Sequence, residues 1–148
     1  MARNERGVTL VELAAVLSVL VVGIGLAVTT LERTLALLRA DGGAQVLYGA
    51  IHLTKARARA TGVMHALVIE RNGRGFRIVE NPTRAARTVV GPVRLMPNVR
   101  ASANTTIRFS PKGFAVPMGT VTVRADTEVR RVIVNIVGRV RIAKGEAR

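Results

Sequence analysis

No cysteine and no tryptophan occur in the 148 residues, and there is a single tyrosine. The first absence excludes disulfides, thiol catalysis and thiolate-held metal. The shortage of rings leaves little surface on which nucleic-acid bases could stack. The two histidines, His52 and His65, share no metal-ligand spacing. Acidic residues are scarce too: nine Asp and Glu stand against 23 Lys and Arg, a formal charge of +14. No paired acidic site, no serine–histidine–carboxylate arrangement and no phosphate loop is evident, because Gly73-Arg74-Gly75 lacks a following helix and reads as a turn. A non-enzyme without metal or cofactor is therefore expected. The surplus charge, mostly arginine, either favours an anionic partner (nucleic acid, anionic lipid or an acidic protein face) or is a solvated basic surface.

What the chain does have is an apolar run close to its start. Residues 8–31 read VTLVELAAVLSVLVVGIGLAVTTL, with Glu12 as the only charge. At ~1.5 Å per residue this run spans about 36 Å, enough for a hydrocarbon core of about 30 Å. It is longer than the apolar core of a cleaved secretory signal, and its helical pattern continues, so a retained membrane helix is expected. The preceding MARNERG carries Arg3 and Arg6, a basic flank that places the N-terminus in the cytoplasm and the remainder outside the inner membrane. An ionisable residue in such a segment costs a few kcal/mol when it faces lipid alone. Glu12 therefore either takes a cation from a new amino terminus or another subunit, or lies solvated at headgroup level.

The stretch GVTLVEL before a continuous apolar run resembles the leader-peptidase motif of type IV pilins and type II secretion pseudopilins. The resemblance implies a leader of residues 1–7 cut after Gly7 by a prepilin peptidase and N-methylation of the new first residue, Val8. It also implies an assembly role for Glu12, fifth in the mature chain, paired with the terminal amine of a neighbouring subunit. The family most often has Phe where Val8 stands.

Beyond the membrane run, Leu31, Leu35, Leu38, Val46, Leu47, Ala50, Ile51, Thr54 and Ala58 recur at spacings of three and four, which predicts one face of a continuing helix. Gly42-Gly43 is expected to kink or loosen it, and Gly62 to end it. Lys55, Arg57 and Arg59 suit the helix dipole near that end, and His52 reads as a partly buried packing residue. From residue 63 the pattern becomes short β-rich runs: MHALVIE, FRIVE, RTVV, TIRFS, TVTVRA and VRRVIVNIV, then VRIA after Gly138. Asn72-Gly73 predicts a hairpin, Gly91-Pro92 a turn, and VRRVIVNIV a central strand. The expected fold is α+β: a long N-terminal transmembrane helix (8–31, continuing over 32–62) packed on a small antiparallel β-sheet domain (63–148).

The order of leader, long helix, sheets, FSPKGFAV and a closing GRVRI is similar to the GspH/FimT group of minor pilins and pseudopilins. That resemblance implies other pilins or pseudopilins as partners, in a type IV pilus or a type II secretion pseudopilus. In FimT-like members serving DNA uptake a GRxR motif binds DNA, and the matching residues are Gly138, Arg139 and Arg141, with Lys144 extending the charge. Two arginines two apart on a strand share a face, and each can clasp a phosphate. The competing reading is a structural turn common to the group, with the arginines solvated or against another subunit.

Overall fold

The computed structural model describes residues 9–146. The chain divides into two compact units, Met1–Leu35 and Ala36–Arg148. One helix, α1 (Leu10–Thr61), contributes to both.

In the first unit α1 starts at a capping threonine. The Glu12 backbone N–H donates to Thr9 Oγ1 at 3.2 Å, and the Leu13 N–H donates to the Thr9 carbonyl at 3.1 Å. A hydroxyl at this position satisfies a donor that the first helical turn leaves open, and an acid three residues on suits the positive end of the helix dipole. From Leu10 to Ile24 the large apolar side chains are exposed. The helix Leu10–Thr61 is long and apolar enough to cross a membrane.

In the second unit α1 buries Ala36, Ala40, Gly43, Ala44, Leu47, Ala50, Ile51, Thr54 and Ala58. The Thr54 hydroxyl is satisfied by donating to the Ala50 carbonyl at 2.7 Å. The lower half of this face agrees with the periodicity. The upper half does not: Leu38 and Val46, expected on it, are exposed, and small residues take the buried positions; Leu31 and Leu35, in the first unit, are exposed too. The reason is close approach. A Cβ on Gly43 would stand 2.8 Å from Val99 Cγ1 and 3.0 Å from Val123 Cγ1. The helix runs through Gly42-Gly43 uninterrupted, so the pair is a contact surface and not a break. It ends at Thr61, before Gly62 (φ 69°).

Eight strands follow: β1 (His65–Ile69), β2 (Gly75–Glu80), β3 (Arg87–Arg94), β4 (Val99–Ala103), β5 (Ile107–Phe109), β6 (Gly119–Ala125), β7 (Glu128–Val134) and β8 (Val140–Lys144). They form two four-stranded sheets, ordered β3-β2-β1-β5 and β4-β6-β7-β8, with every pairing antiparallel. The Asn72-Gly73 hairpin joins β1 to β2, and β7 is an interior strand, both as the sequence predicts. Gly91-Pro92 lies inside β3 and not in a turn. Proline is tolerated there because β3 is an edge strand with register shifts against β2. Strand β4 had no sequence signal; its VRASA alternates only Val99 and Ala101 inward.

The core joins Leu47 and Ile51 of the helix to Leu67, Ile78, Ile107 and Phe109 of one sheet and Val121, Val123, Val132 and Val134 of the other. One charge sits among them. Arg130 on β7 is buried, its Nε donating to Asp41 Oδ1 of α1 at 2.5 Å and its Nη1 to Glu128 Oε2 at 3.2 Å. The Asp41 hydrogen bond raises the guanidinium pKa against the lowering effect of burial, so the charge is held in place by its partner.

The two helix glycines with opposite surroundings make a direct test. Gly43→Ala should destabilise the detergent-solubilised chain by about 1–3 kcal/mol through overpacking against Val99 and Val123. Gly49→Ala, with nothing within 4 Å of the new Cβ, should stabilise it by about 0.5–1 kcal/mol through helix propensity. Denaturant unfolding followed by circular dichroism reads both, and the same sign for the two variants would contradict the packing described.

Candidate functional site

The residues singled out by the sequence fall into three places. Gly7 and Val8 lie outside the described residues. Glu12 lies in the first turn of α1, exposed, and its carboxylate has no ion-pair partner among the described residues. An apolar helix presenting one free carboxylate is chemically incomplete, because nothing on its own segment neutralises the charge.

The third place is the turn between β7 and β8. The Gly138 N–H donates to the Asn135 carbonyl at 2.9 Å, and the Arg139 N–H donates to Asn135 Oδ1 at 2.8 Å. Gly138 has φ 73°, and a Cβ there would meet the Gly113 carbonyl oxygen at 2.5 Å. Lys55 of α1 donates from Nζ to the Gly138 carbonyl at 2.9 Å. The FSPKG turn reaches the same corner: the Gly113 N–H donates to the Ser110 carbonyl, and the Ala115 N–H to the Ile136 carbonyl at 2.9 Å. The two motifs FSPKG and GRVR are thus one corner, braced by Lys55, which the sequence offered only as a helix-dipole cation. Gly138 is buried there and cannot meet a ligand.

Arg139, in the turn before β8, and Arg141, on the solvent side of β8, are exposed, while Lys144, of opposite parity, pairs in register with Arg130. The expected cluster of Gly138, Arg139, Arg141 and Lys144 is therefore split. What joins Arg141 instead is the outer face of its sheet. Arg141 is opposite Ile133 and Ile133 opposite Thr120; Arg131 is opposite Thr122 and Ala143; Arg124 is opposite Arg100; Ser102 is opposite Thr122. Four arginines and three hydroxyls from four strands share one face; Asp126 lines a recess with Arg100 and Arg124, and Glu70 lines a cleft with the same two arginines, so carboxylates stand at one end of it. Like charges set directly opposite, as at Arg100 and Arg124, cost stability unless something offsets them. None of Arg100, Arg124, Arg131, Arg139 and Arg141 forms an ion pair among the described residues. Alternation along β6 and β7 contains half of this face; the register, and β4 itself, supply the rest.

The histidines are not part of a site. His65 is buried, with Nδ1 3.0 Å from the Val63 carbonyl oxygen. His52, expected to be partly buried, is exposed, its ring 4.5 Å from that of Tyr48. Among the described residues no group of three His, Asp or Glu could hold a metal.

Comparison with known proteins bears on this geometry. The family described as type II transport protein GspH matches residues 43–138, more than half of the chain. No curated protein sequence matches it. Among solved structures, the minor pseudopilin EpsH of the type 2 secretion system of Vibrio cholerae is similar, with a TM-score of 0.59 at 14% identity, covering 72% of this chain and 97% of that one. The type IV minor pilin FimU of Pseudomonas aeruginosa is similar too, with a TM-score of 0.59 at 14% identity over 70% of this chain and 87% of that one. At such identities the likeness is one of fold.

The two roles inside GRVR separate by mutation. Gly138→Ala should lower stability by about 1–3 kcal/mol, since it strains a positive φ against a packed carbonyl. Arg139→Gln and Arg141→Gln should each stay within about 0.5 kcal/mol of wild type, as exposed unpaired charges do. Thermal unfolding of the three variants checks this, and a large loss in either arginine variant would mean those side chains serve the fold.

Proposed function

This chain belongs to the GspH family of type II transport proteins, and we propose from that premise that it is a minor pilin or pseudopilin. It assembles through its N-terminal helix into a type II secretion pseudopilus or a type IV pilus. Residues 1–7 are a leader removed by prepilin peptidase, Val8 becomes the methylated terminus, and residues 8–31 cross the inner membrane once. Residues 32–62 and 63–148 then lie in the periplasm or in a surface filament.

The observation that carries this reading is the unsatisfied surface of α1. Its apolar side chains are exposed from Leu10 to Ile24, and Leu37, Leu38, Val46 and Leu53 continue that exposure where the helix is already packed on the sheets. A helix with this surface exchanges lipid for neighbouring helices at little hydrophobic cost, so packing and polar pairing decide assembly. Glu12 supplies the polar pairing: its carboxylate meets the free amine of an adjacent subunit, and the charge that is costly in lipid becomes a registering contact.

Glu12→Ala should insert in the membrane as well as wild type or better, because an apolar helix is the easier to insert. Its incorporation into sheared filaments, or secretion by the host, should fall sharply. Membrane fractionation and filament immunoblots separate the two steps; full incorporation of Glu12→Ala would remove the proposed contact.

A second reading is favoured by the arginine face of the β4-β6-β7-β8 sheet: binding of DNA by its phosphates. Arg100, Arg124, Arg131 and Arg141 have no ionic partner among the described residues, and hydroxyls lie between them. Such a face grips backbone phosphates without reading sequence. Arg131→Gln with Arg141→Gln should lower the log–log salt slope of duplex binding by roughly two. Lys144→Gln, off the face, should change affinity little, and so should the exposed pair Arg77→Gln with Arg84→Gln. Equal losses from both arginine pairs would indicate diffuse attraction, and absence of binding at low salt would leave the assembly role alone.

A further inference from the structure

The corner braced by Lys55 carries an apolar patch that neither the helix nor the arginine face accounts for. After β5 the chain turns back along that strand. Phe109 bridges to Ala115, the Val116 N–H donates to the Arg108 carbonyl at 2.8 Å, and Arg108 Nε donates to the Val116 carbonyl at 3.2 Å. Burial alternates through this return: Ala115 and Gly119 are buried, whereas Phe114, Val116 and Met118 are 46%, 49% and 61% exposed. The Ala115–Ile136 hydrogen bond sets the β7–β8 turn beside it, where Ile136 and Val137 are 58% and 60% exposed. Five large apolar side chains from two tied loops expose an area on the order of a few hundred Å², the size at which an apolar patch marks an interaction surface.

The segments that carry the patch hold Arg108, Lys112 and Arg139 and no Asp or Glu, and the chain as a whole carries +14. A second copy would bring the same cations to the same rim, and like charges set against one another across an interface cost several kcal/mol by general experience. We propose that Phe114, Val116, Met118, Ile136 and Val137 are the docking face for a chain of different sequence, whose apolar contact residues are ringed by carboxylates. The face is tied to the fold at several points. Its two loops are fixed by backbone hydrogen bonds, by Lys55 on the Gly138 carbonyl and by Gly113 packed against the turn. A partner therefore meets a preformed surface and orders little, which favours affinity. The proposal rests on the assembly reading only in taking the partner to be a co-assembled subunit.

The experiment replaces Val137, and separately Phe114, with the photo-crosslinking residue p-benzoylphenylalanine in the full chain in its native cells. A third variant carries the same residue at Leu20, in the membrane helix. Irradiation should give, from Val137 and Phe114, one discrete adduct whose partner, identified by mass, is a different protein of net negative charge. Lys112→Glu with Arg139→Glu should lower that yield roughly tenfold or more, by like-charge repulsion at the rim, while leaving adducts from Leu20 unchanged. An adduct of twice the chain's mass, an adduct with a net basic protein, or no adduct from either loop position overturns the proposal. Adducts from Leu20 with none from Val137 or Phe114 sink it while leaving helix-driven assembly standing. Loss of adducts at all three positions removes both.

Discussion

The second unit depends on how closely α1 approaches the sheets. Ala40, Gly43 and Ala44 offer almost no side chain, so Val99 and Val123 lie directly against the helix. This proximity brings Asp41 within reach of Arg130 on β7, and, further along, Lys55 within reach of Gly138. A larger residue at Gly43 would separate the layers and disturb the first of these polar ties. The buried Arg130 is tolerable only because two carboxylates meet it; alone in that position it would cost several kcal/mol.

The same approach explains the division of labour along the helix. Small residues face inward, so the leucines and valines of the upper half are left outside. In an isolated globular protein such an arrangement wastes hydrophobic burial. In a subunit that assembles as proposed it is the expected one, since the exposed side chains would find their partners in neighbouring helices and the sheet needs only a flat, close surface. The first unit, with every large apolar residue from Leu10 to Ile24 exposed, makes the same demand on the membrane or on neighbouring helices.

At the far end of the helix, FSPKG and GRVR look in sequence like two separate signatures, one a turn and one a basic patch. Folded, they are one corner, in which Gly138 and Gly113 permit backbones to touch and Lys55 satisfies a carbonyl. The corner in turn fixes what surrounds it: the apolar loops with Arg139 at their edge, and Arg141 further along β8. A glycine and an arginine that are neighbours in a motif thus act on different levels, the first on the backbone and the second on whatever lies outside.

The membrane-capable helix, the end of that helix at Gly62, the Asn72-Gly73 hairpin and most strands were legible in the sequence, because each depends on local periodicity or on a turn residue. The α+β architecture followed from them. The role of Gly42-Gly43, the outward turn of Leu38 and Val46, and the passage of β3 through Gly91-Pro92 were not, because each is decided by what lies opposite. Hydropathy cannot tell an exposed leucine from one packed in its own core; around Gly43 the close approach of Val99 and Val123 decides which side of the helix is buried. The arginine face shows the same limit. Arg100, Arg124, Arg131 and Arg141 are as far as 41 positions apart in the chain, and strand register alone makes them one surface, since register is a long-range agreement between strands and not a property of any one of them.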